Sequence, residues 1–294
     1  MISIIITSFK EPNLKRAIDA VLNNNIKEEY EIIIVAPDKE AETLVKSYKN
    51  KDLIYFKDPG KGKSNALNLV FKKAKGDVLI LTDGDVFIPN NAINEILELF
   101  KDKNIGCVSG HPVALDSRNN LLGYWANFLF DIGAHEISRK KRFKEGKFLE
   151  CSGYLFAFRN LIKEIPLDVA EDSMIPYLIY KKGFKIGYAE NAFVYVKNPN
   201  NLNDFIKQRV RTAKAHEKLN YYAPDFPRIK SLSKEFLEGL KNLNLIFFYP
   251  KNSKEFIYTL ILFPLRLYIW LKVKYEQKFK SQYKDNWERI ESTK

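Results

Sequence analysis

The sequence has few of the residues that build disulfide frameworks and zinc centres. It contains two cysteines, Cys107 and Cys151, and three isolated histidines in 294 residues. Two cysteines without a paired spacing exclude a disulfide-rich scaffold, and scattered histidines argue against a zinc site. We expect each thiol to be a buried structural group.

We expect neither a signal peptide nor a clear membrane span from this sequence. Its start, MISIIITSFK, has no basic region before a few apolar residues, so it predicts a strand. The apolar segment from Phe256 to Leu271 has 16 residues, whereas a span needs about 20, and Pro264 and Arg266 interrupt it. We therefore expect the protein to stay on the cytoplasmic side.

Acidic residues are fewer than basic ones. The chain has 48 lysines and arginines against 36 acidic residues, which gives a net charge of +12. This excess indicates an anionic partner, whether a nucleic acid, an acidic membrane surface or a phosphorylated substrate. With 46% hydrophobic residues, the chain has the composition of a globular protein.

A phosphate-binding P-loop is absent as well. The stretch DPGKGKSNAL offers Gly62, Lys63 and Ser64, but the glycine that a Walker A loop needs five residues earlier is replaced by Lys57. The stretch comes directly before a predicted helix, whose N-terminus with Lys61 or Lys63 beside it would favour an anion. A solvated surface turn is the competing interpretation.

What the chain does contain is an alternation of strands and helices. SIIIT, YEIIIVA, LIYF and VLIL are continuous apolar runs, and amphipathic helical segments separate them. This pattern predicts a mostly parallel sheet covered by helices on both faces. Further on we predict one long helix over residues 120–145, a strand at CSGYLFAFR, a helix stopped by Gly183, two short strands at FKIGYAE and AFVYVK, and a basic helix.

Two carboxylates follow the strand in VLILTDGDVFIP. Asp83 and Asp85 come just past its carboxyl end, which is the edge of a parallel sheet where ligands bind. Residues two apart in extended chain face the same side, and Gly84 between them allows a ligand close to the backbone. Paired carboxylates suit Mg²⁺ or Mn²⁺, which would hold a substrate diphosphate. The alternative is a simple Asp-Gly turn at the end of a strand.

Five motifs follow one another in a familiar order: SIIITSFKEP, GKGKSNALN, TDGD, SGYLFAFR and AEDSMIPYLIYKKGFK. This order resembles glycosyltransferase family 2, whose members are inverting enzymes with the GT-A fold that use nucleotide-diphosphate sugars. The resemblance covers roughly residues 1–215. It implies a GT-A catalytic domain at 1–225, with a nucleotide-sugar-binding half at 1–110 and an acceptor-binding half at 111–225. A helical extension would occupy 226–294.

The resemblance also implies roles for individual residues. Asp83 and Asp85 would bind the nucleotide sugar and its Mg²⁺ or Mn²⁺, with Asp85 the more direct metal ligand, and Asp172 would be the general base. Taken alone, Asp172 would equally suit a helix cap. The other residues expected to contact the donor are Thr7, Glu11, Asp38, Lys63, Gln208 and Arg211. Those expected to contact the acceptor are Gly153, Tyr154 and Glu171.

The chain departs from the family pattern in two places. KQRVRTAKAH is similar to the Gln-x-x-Arg-Trp motif of the processive cellulose, chitin and hyaluronan synthases, but Thr212 replaces the tryptophan. Arg211, with Arg209 beside it, would still suit a diphosphate. After the second strand, APDKEAE replaces an Asp-Asp-Gly-Ser sequence, so Asp38 is only an approximate match to the residue that contacts the base. By resemblance, a UDP-sugar is the default donor.

The end of the chain is apolar with basic flanks. Thr259 and Arg266 share one narrow face of the segment, and lysines lie at both of its ends. Three arrangements remain open: a helix in the plane of the membrane surface, a helix packed on the catalytic domain or a second subunit, and a true span. A membrane surface would favour a lipid-linked acceptor or a glycan made at the membrane.

Three other functions are compatible with parts of the sequence. A sugar nucleotidyltransferase has a related α/β architecture, but TSFKEPN after the first strand lacks the glycines expected there. A nucleic-acid-binding protein would need a basic patch with stacking aromatics, and the lysines are dispersed. A non-catalytic scaffold would not need Asp83, Asp85 and Asp172 together. We therefore predict an inverting, metal-dependent glycosyltransferase on the cytoplasmic membrane face, with no nucleic-acid partner.

Overall fold

The computed structural model describes residues 1–227, 229–279 and 291–293, and within them eight strands form one sheet. The strands are β1 (Ile2–Thr7), β2 (Tyr30–Ala36), β3 (Leu53–Lys57), β4 (Val78–Asp83), β5 (Val86–Phe87), β6 (Ile105–Ala114), β7 (Leu155–Arg159) and β8 (Lys185–Val196). Their order across the sheet is β3-β2-β1-β4-β7-β6-β8-β5.

The first half of the sheet is parallel, as the alternating pattern predicts. β1 pairs in parallel with β2 and β4, and β2 pairs in parallel with β3. β7 then lies antiparallel between β4 and β6, while β6 and β8 are again parallel. The mostly parallel sheet is confirmed, with an antiparallel strand in its middle that the sequence pattern does not reveal.

Two strand predictions need correction. The strand predicted at CSGYLFAFR begins at Leu155, because the chain turns there: the Ser152 carbonyl accepts from the Leu155 N–H, and Ser109 Oγ accepts from the Ser152 N–H. The two short strands predicted at FKIGYAE and AFVYVK are one strand, β8. Its pairing with β6 shifts register between Ser109 and His111, which explains why the apolar alternation breaks in the middle.

Helices connect the strands and cover the sheet. In chain order they are α1 (Leu14–Leu22), α2 (Lys39–Ser47), α3 (Lys63–Phe71), α4 (Ala92–Leu99), α5 (Leu121–Phe128), a π-helical segment (Leu129–Lys140), α6 (Lys141–Lys144), α7 (Glu171–Lys181), α8 (Leu202–Tyr222), α9 (Leu232–Lys241), α10 (Leu243–Phe248) and α11 (Ser253–Phe279), with a 3₁₀ turn at Glu291–Thr293. The long helix predicted over 120–145 is therefore continuous in the chain but π-helical in its middle. Gly183 follows α7 with φ +89°, the left-handed conformation that ends many helices.

The strand pleat divides the core between the two faces of the sheet. In β1, Ile5 packs on the side of α3 and α7, whereas Ile4 and Ile6 pack on the side of α1 and α2. Because side chains on both faces are buried, neither face of this strand is exposed to solvent. Cys107 and Cys151 are free, buried thiols, as expected from the sequence.

The C-terminal helices pack on the domain through a third core. It joins α5 and the π-helical segment to α8 and α11, with Trp125, Phe205, Ile269 and Trp270 among its buried side chains. The predicted extension therefore contacts the domain closely, and the proposed boundary at residue 225 stays a prediction. Residues 280–290 and 294 of that extension lie outside the described residues.

α11 buries both apolar residues and a few polar ones against the domain, and it exposes a second set of apolar residues on its opposite face. Thr259 is fully buried and bonds the Tyr124 hydroxyl, Glu255 pairs with Arg118, and Arg266 forms two hydrogen bonds with Glu235. The outward face consists of exposed apolar and aromatic side chains: Phe256, Ile257, Leu260, Ile261, Phe263, Leu267, Tyr268 and Leu271. Among the described helices, this 27-residue one is long and apolar enough to cross a membrane by length and composition alone.

Candidate active site

The site begins where β1 and β4 end side by side. Thr7 and Asp83 are paired in the sheet, and the Thr7 hydroxyl donates to Asp83 Oδ1 at 2.7 Å. The Gly84 N–H donates to the Thr7 carbonyl at 2.9 Å, which continues the pairing beyond the strand. A Cβ atom at Gly84 would lie 3.2 Å from the Ser8 hydroxyl and from a Leu14 methyl group, so the turn leaves little room for a side chain. The aspartate pair is thus held rigidly at the sheet edge.

Lys63 brings a positive charge from the glycine-lysine stretch into this site. Gly62 precedes α3 with φ +100°, a conformation that glycine adopts readily, and the helix starts at Lys63. The Lys63 ammonium lies 2.8 Å from Asp83 Oδ1 and 2.6 Å from Glu171 Oε1. Burial opposes its charge, but these two carboxylates raise the pKa of Lys63 well above its usual value. Lys63 therefore links the end of β4, through Asp83, to the start of α7, through Glu171.

Carboxylates outnumber this cation. Burial raises the pKa of Asp85 to about 7, and the nearby charges of Asp83 and Glu11 act in the same direction. Burial also raises the pKa of Glu171 to about 7, with Lys63 opposing the shift and Asp172 adding to it. An excess of buried negative charge of this kind favours the binding of a cation.

The oxygen ligands present fit a hard divalent cation in an open site. Within the described ranges, no group of three or more His, Cys, Asp or Glu side chains is arranged to hold a metal ion by itself. Asp83 and Asp85 would supply two carboxylates, and the remaining ligands would have to come from a bound diphosphate and water. Mg²⁺ and Mn²⁺ are commonly bound by one or two carboxylates together with substrate phosphates.

Asp172 lies in the first turn of α7, directly after Glu171, and lines the same cavity as Asp83. Its backbone carbonyl accepts from the Cys151 N–H at 3.0 Å, which ties the helix start to the turn before β7. A Cβ atom at Gly153 would lie 3.4 Å from Asp172 Oδ2. The absence of a side chain at Gly153 keeps this carboxylate accessible from the turn.

One cavity of about 1570 Å³ collects nearly all of the predicted site residues. Its lining includes Thr7, Glu11, Lys63, Asp83, Asp85, Gly153, Tyr154, Glu171, Asp172, Gln208 and Arg211. Asp38 is not among the lining residues. Its carboxylate accepts from the Ala41 and Lys10 N–H groups, each at 3.0 Å, and so caps α2. Contact between Asp38 and a nucleotide base stays a prediction.

The basic helix α8 forms one wall of the cavity. Gln208, Arg209, Arg211 and Thr212 all line it. Gln208 Oε1 and Arg209 Nε are buried without a hydrogen-bond partner among the described residues. The Thr212 hydroxyl donates to the Gln208 carbonyl of the previous turn at 3.0 Å, where the related motif has a tryptophan.

Sequence reasoning misses a buried polar cluster directly behind Asp172. Glu150 Oε2 accepts from the Ser173 hydroxyl at 3.0 Å and lies 2.7 Å from the Lys230 ammonium, which in turn lies 2.9 Å from His216 Nε2. Although burial opposes ionisation, Lys230 and His216 lower the pKa of Glu150 to about 2. The cluster joins α7, α8 and the segment before α9. No sequence motif predicts it, because its members come from four distant parts of the chain.

The chain also matches a known protein family. Residues 3–165, more than half of the chain, match glycosyl transferase family 2. The chain belongs to this family, and the resemblance in motif order is confirmed.

Two relatives come from the processive synthase branch. The chain is 29% identical over 224 residues to poly-β-1,6-N-acetyl-D-glucosamine synthase of Staphylococcus aureus (strain COL), a match that covers 70% of this chain and 53% of that protein. It is 26% identical over 208 residues to hyaluronan synthase of Streptococcus pyogenes, covering 63% and 49%. The chain spans about half the length of these curated relatives.

A solved structure shows the same fold. The mannosyltransferase PcManGT from Pyrobaculum calidifontis, in complex with GDP-Man and Mn²⁺, superposes with a TM-score of 0.64 at 14% sequence identity. The superposition covers 96% of this chain and 88% of that one. The GT-A-like fold predicted from the sequence is thereby confirmed, together with the helical C-terminal part.

Proposed function

We propose that this glycosyltransferase moves a sugar, with inversion, from a nucleotide-diphosphate sugar to a hydroxyl of a glycan or lipid-linked acceptor. The observation that carries the proposal is one cavity lined by both the Asp83–Asp85 pair and Asp172. A UDP-sugar is the default donor, on the motif resemblance.

The reaction needs one base and a stabilised leaving group. Asp172 accepts the proton of the acceptor hydroxyl while its oxygen forms a bond to the anomeric carbon, and the bond from that carbon to the diphosphate breaks. The electron pair leaves with the nucleoside diphosphate. Attack from the face opposite to the leaving group accounts for inversion.

Positive charge on the diphosphate side would come from three sources. Asp83 and Asp85 would hold Mg²⁺ or Mn²⁺, which supplies charge to the departing phosphate when bound. Arg211 on α8 would bind phosphate oxygens with its planar guanidinium, and Gln208 would add a hydrogen bond. Lys63 keeps Asp83 and Glu171 oriented, while Thr7 and Glu11 complete the donor wall.

Gly153, Tyr154 and Glu171 form the proposed acceptor contacts next to Asp172. The Tyr154 carbonyl accepts from the Thr82 hydroxyl at 2.8 Å, which fixes this turn against β4. The Tyr154 ring packs edge-on against Phe130, with the ring centroids 5.9 Å apart. It can stack on an acceptor sugar ring next to Asp172. Thr212 offers no such aromatic surface.

The proposed location is the cytoplasmic membrane face, with α11 against the lipid. The supporting feature is the outward face of α11, which consists of exposed apolar side chains while Thr259 and Arg266 bond the domain from the inward face. An exposed apolar face with lysines at both ends matches a helix at a membrane surface, with the lysine ammonium groups reaching the head groups. Flotation of the protein with anionic vesicles tests this placement, and recovery in the lipid-free fraction would contradict it.

Calorimetric titration tests the donor site. UDP, GDP, dTDP and CDP are titrated in turn, with and without Mn²⁺, into the wild type and into Asp85→Ala. We expect one diphosphate to bind only with the metal and to lose its affinity in the variant. Asp102→Ala, an exposed aspartate away from the cavity, is the matched control and should bind as the wild type does. Binding that is equal with and without metal would contradict the role of the aspartate pair.

A further inference from the structure

The cavity does not end at the proposed catalytic residues. Its lining continues onto α9, α10 and α11, where Phe236, Leu240, Leu243, Phe263 and Leu267 take part. These five residues, which we name the apolar mouth, are between 41% and 65% exposed. Phe263 and Leu267 also belong to the outward apolar face of α11. The cavity therefore opens onto the same apolar surface that we propose to meet the membrane.

Arg209 lines the same cavity as the proposed catalytic residues and the apolar mouth. Its guanidinium is 5.2 Å from the Phe205 ring centroid, and its Nε is buried without an acceptor among the described residues. No carboxylate in the described part of the chain is within ion-pair distance of it. Burial lowers the pKa of Arg209 to about 10, and its electrostatic neighbours are Tyr154, a proposed acceptor contact, and Arg266 and Glu235, which also line the cavity.

The nearby carboxylate is already engaged elsewhere. Glu235 accepts two hydrogen bonds from Arg266, at 2.6 and 2.7 Å, and a third from the Trp270 indole at 2.7 Å. Arg209 thus keeps a desolvated positive charge and an unsatisfied donor inside the cavity. Leaving such a group unpaired is costly, so the position favours an anionic ligand.

We propose that the acceptor hydroxyl belongs to a sugar carried on a lipid phosphate or diphosphate, whose phosphate is bound by Arg209 and whose lipid chain leaves through the apolar mouth into the membrane. This inference rests on the proposed function and narrows its acceptor to one chemical class. Arg211 serves the donor diphosphate and Arg209 serves the acceptor. A soluble glycan would leave the five apolar side chains of the mouth in water, whereas a lipid chain covers them and gains from their burial.

Binding of simple amphiphiles tests the proposal without knowledge of the natural lipid. The probes are dodecyl phosphate, inorganic phosphate and dodecyl maltoside, each titrated calorimetrically below any critical micelle concentration. We expect dodecyl phosphate to bind at least about 10-fold more tightly than either of the other two, because only it offers both the charge and the chain. If inorganic phosphate binds as tightly as dodecyl phosphate, the apolar mouth does not contribute to binding. If dodecyl maltoside binds as tightly, the positive charge of Arg209 does not contribute.

Variants test separately the two parts of the site, the phosphate-binding Arg209 and the apolar mouth. Arg209→Gln should weaken dodecyl phosphate binding by about 10- to 100-fold, the loss expected for a charge-assisted contact, and leave nucleoside diphosphate binding unchanged. Leu240→Ser, at an exposed position, should weaken dodecyl phosphate but not inorganic phosphate. Arg16→Gln is the matched control, since Arg16 also lies over a phenylalanine ring, that of Phe87 at 4.3 Å, but does not line the cavity.

The outcomes separate this inference from the proposed function. If Arg209→Gln loses nucleoside diphosphate binding and keeps dodecyl phosphate binding, Arg209 belongs to the donor site and the inference is wrong while the enzyme assignment stands. If the wild type binds no nucleoside diphosphate with metal, the proposed function fails on its own evidence. The dodecyl phosphate titrations then still decide whether the anionic lipid site exists.

Discussion

The two ends of the cavity are built in different ways. At the sheet edge, strand register and short hydrogen bonds hold Asp83 between Thr7 and Lys63 before any ligand arrives. At the helical end, Arg209 has a buried polar atom without a partner among the described residues, and the apolar mouth is exposed. The difference indicates that the proposed donor end is preorganised, whereas the proposed acceptor end would be completed by its ligand. Five predictions test this contrast.

The largest expected effect is at Asp172, where the two ends meet. Asp172→Asn should lower kcat by about 10²- to 10⁴-fold, the usual contribution of a general base, while metal-dependent binding of the nucleoside diphosphate is retained. Transfer is measured with the donor identified by titration, and binding is measured by calorimetry on the same samples. Asp102→Asn provides the control for a surface aspartate. Unchanged kcat in Asp172→Asn would remove this residue from the mechanism.

The second prediction concerns the cluster behind the base. Lys230→Met leaves the Glu150 carboxylate, 1% exposed, without its cation. We expect the free energy of unfolding to fall by about 2–3 kcal/mol, less than the roughly 3–5 kcal/mol for a fully buried pair, because the Lys230 ammonium is partly exposed. Urea denaturation measures the change. Lys101→Met, which breaks the exposed pair with Glu98, should cost about 1 kcal/mol or less. Equal losses in the two variants would show that the cluster has no special role in stability.

The contrast also explains how much the sequence could predict. Asp83, Asp85 and Lys63 follow predicted strands or begin a predicted helix, so local pattern alone brings them to one edge of the sheet. Arg209 could be singled out only as a neighbour of Arg211, because its environment depends on α9 and α11, which the chain adds far downstream. The antiparallel orientation of β7 is likewise set by pairing between distant strands. A short apolar run in the sequence does not indicate whether its strand is parallel or antiparallel to its neighbours.

A smaller effect is expected from the preorganised donor end. Thr7→Val keeps the shape of the side chain but removes the hydroxyl that donates to Asp83. Loss of this bond, worth about 1–2 kcal/mol when the acceptor is charged, should weaken metal-dependent diphosphate binding by about 5- to 30-fold. Dodecyl phosphate binding should not change, because the helical end of the cavity is untouched. Thr43→Val, an exposed threonine on α2, is the control. A loss of both ligands in Thr7→Val would mean that the two ends are not built independently.

The smallest expected effect is the pH dependence of the donor end. The pKa of Asp85 is about 7 in the folded protein, above its usual value of 3.8, because burial and the charges of Asp83 and Glu11 disfavour ionisation. A metal ion binds the ionised form. Metal-dependent diphosphate binding should therefore strengthen by up to about 10-fold between pH 6 and pH 8, with proton release detectable by calorimetry in buffers of different ionisation enthalpy.

Stability without metal should show the opposite trend. Because the folded-state pKa of Asp85 is raised, the protonated carboxyl favours the folded protein, and this contribution is lost as pH rises from about 4 to about 7. Adding Mn²⁺ at pH 8 should restore more stability than at pH 6, which thermal denaturation can measure. In Asp85→Asn the metal-free protein should lose that part of the pH dependence, while Glu171, whose pKa is also about 7, retains its own. Asp85→Asn should bind dodecyl phosphate as the wild type does, because Arg209 carries its charge throughout this pH range. A loss of dodecyl phosphate affinity in this variant would show that the two ends of the cavity are electrostatically coupled.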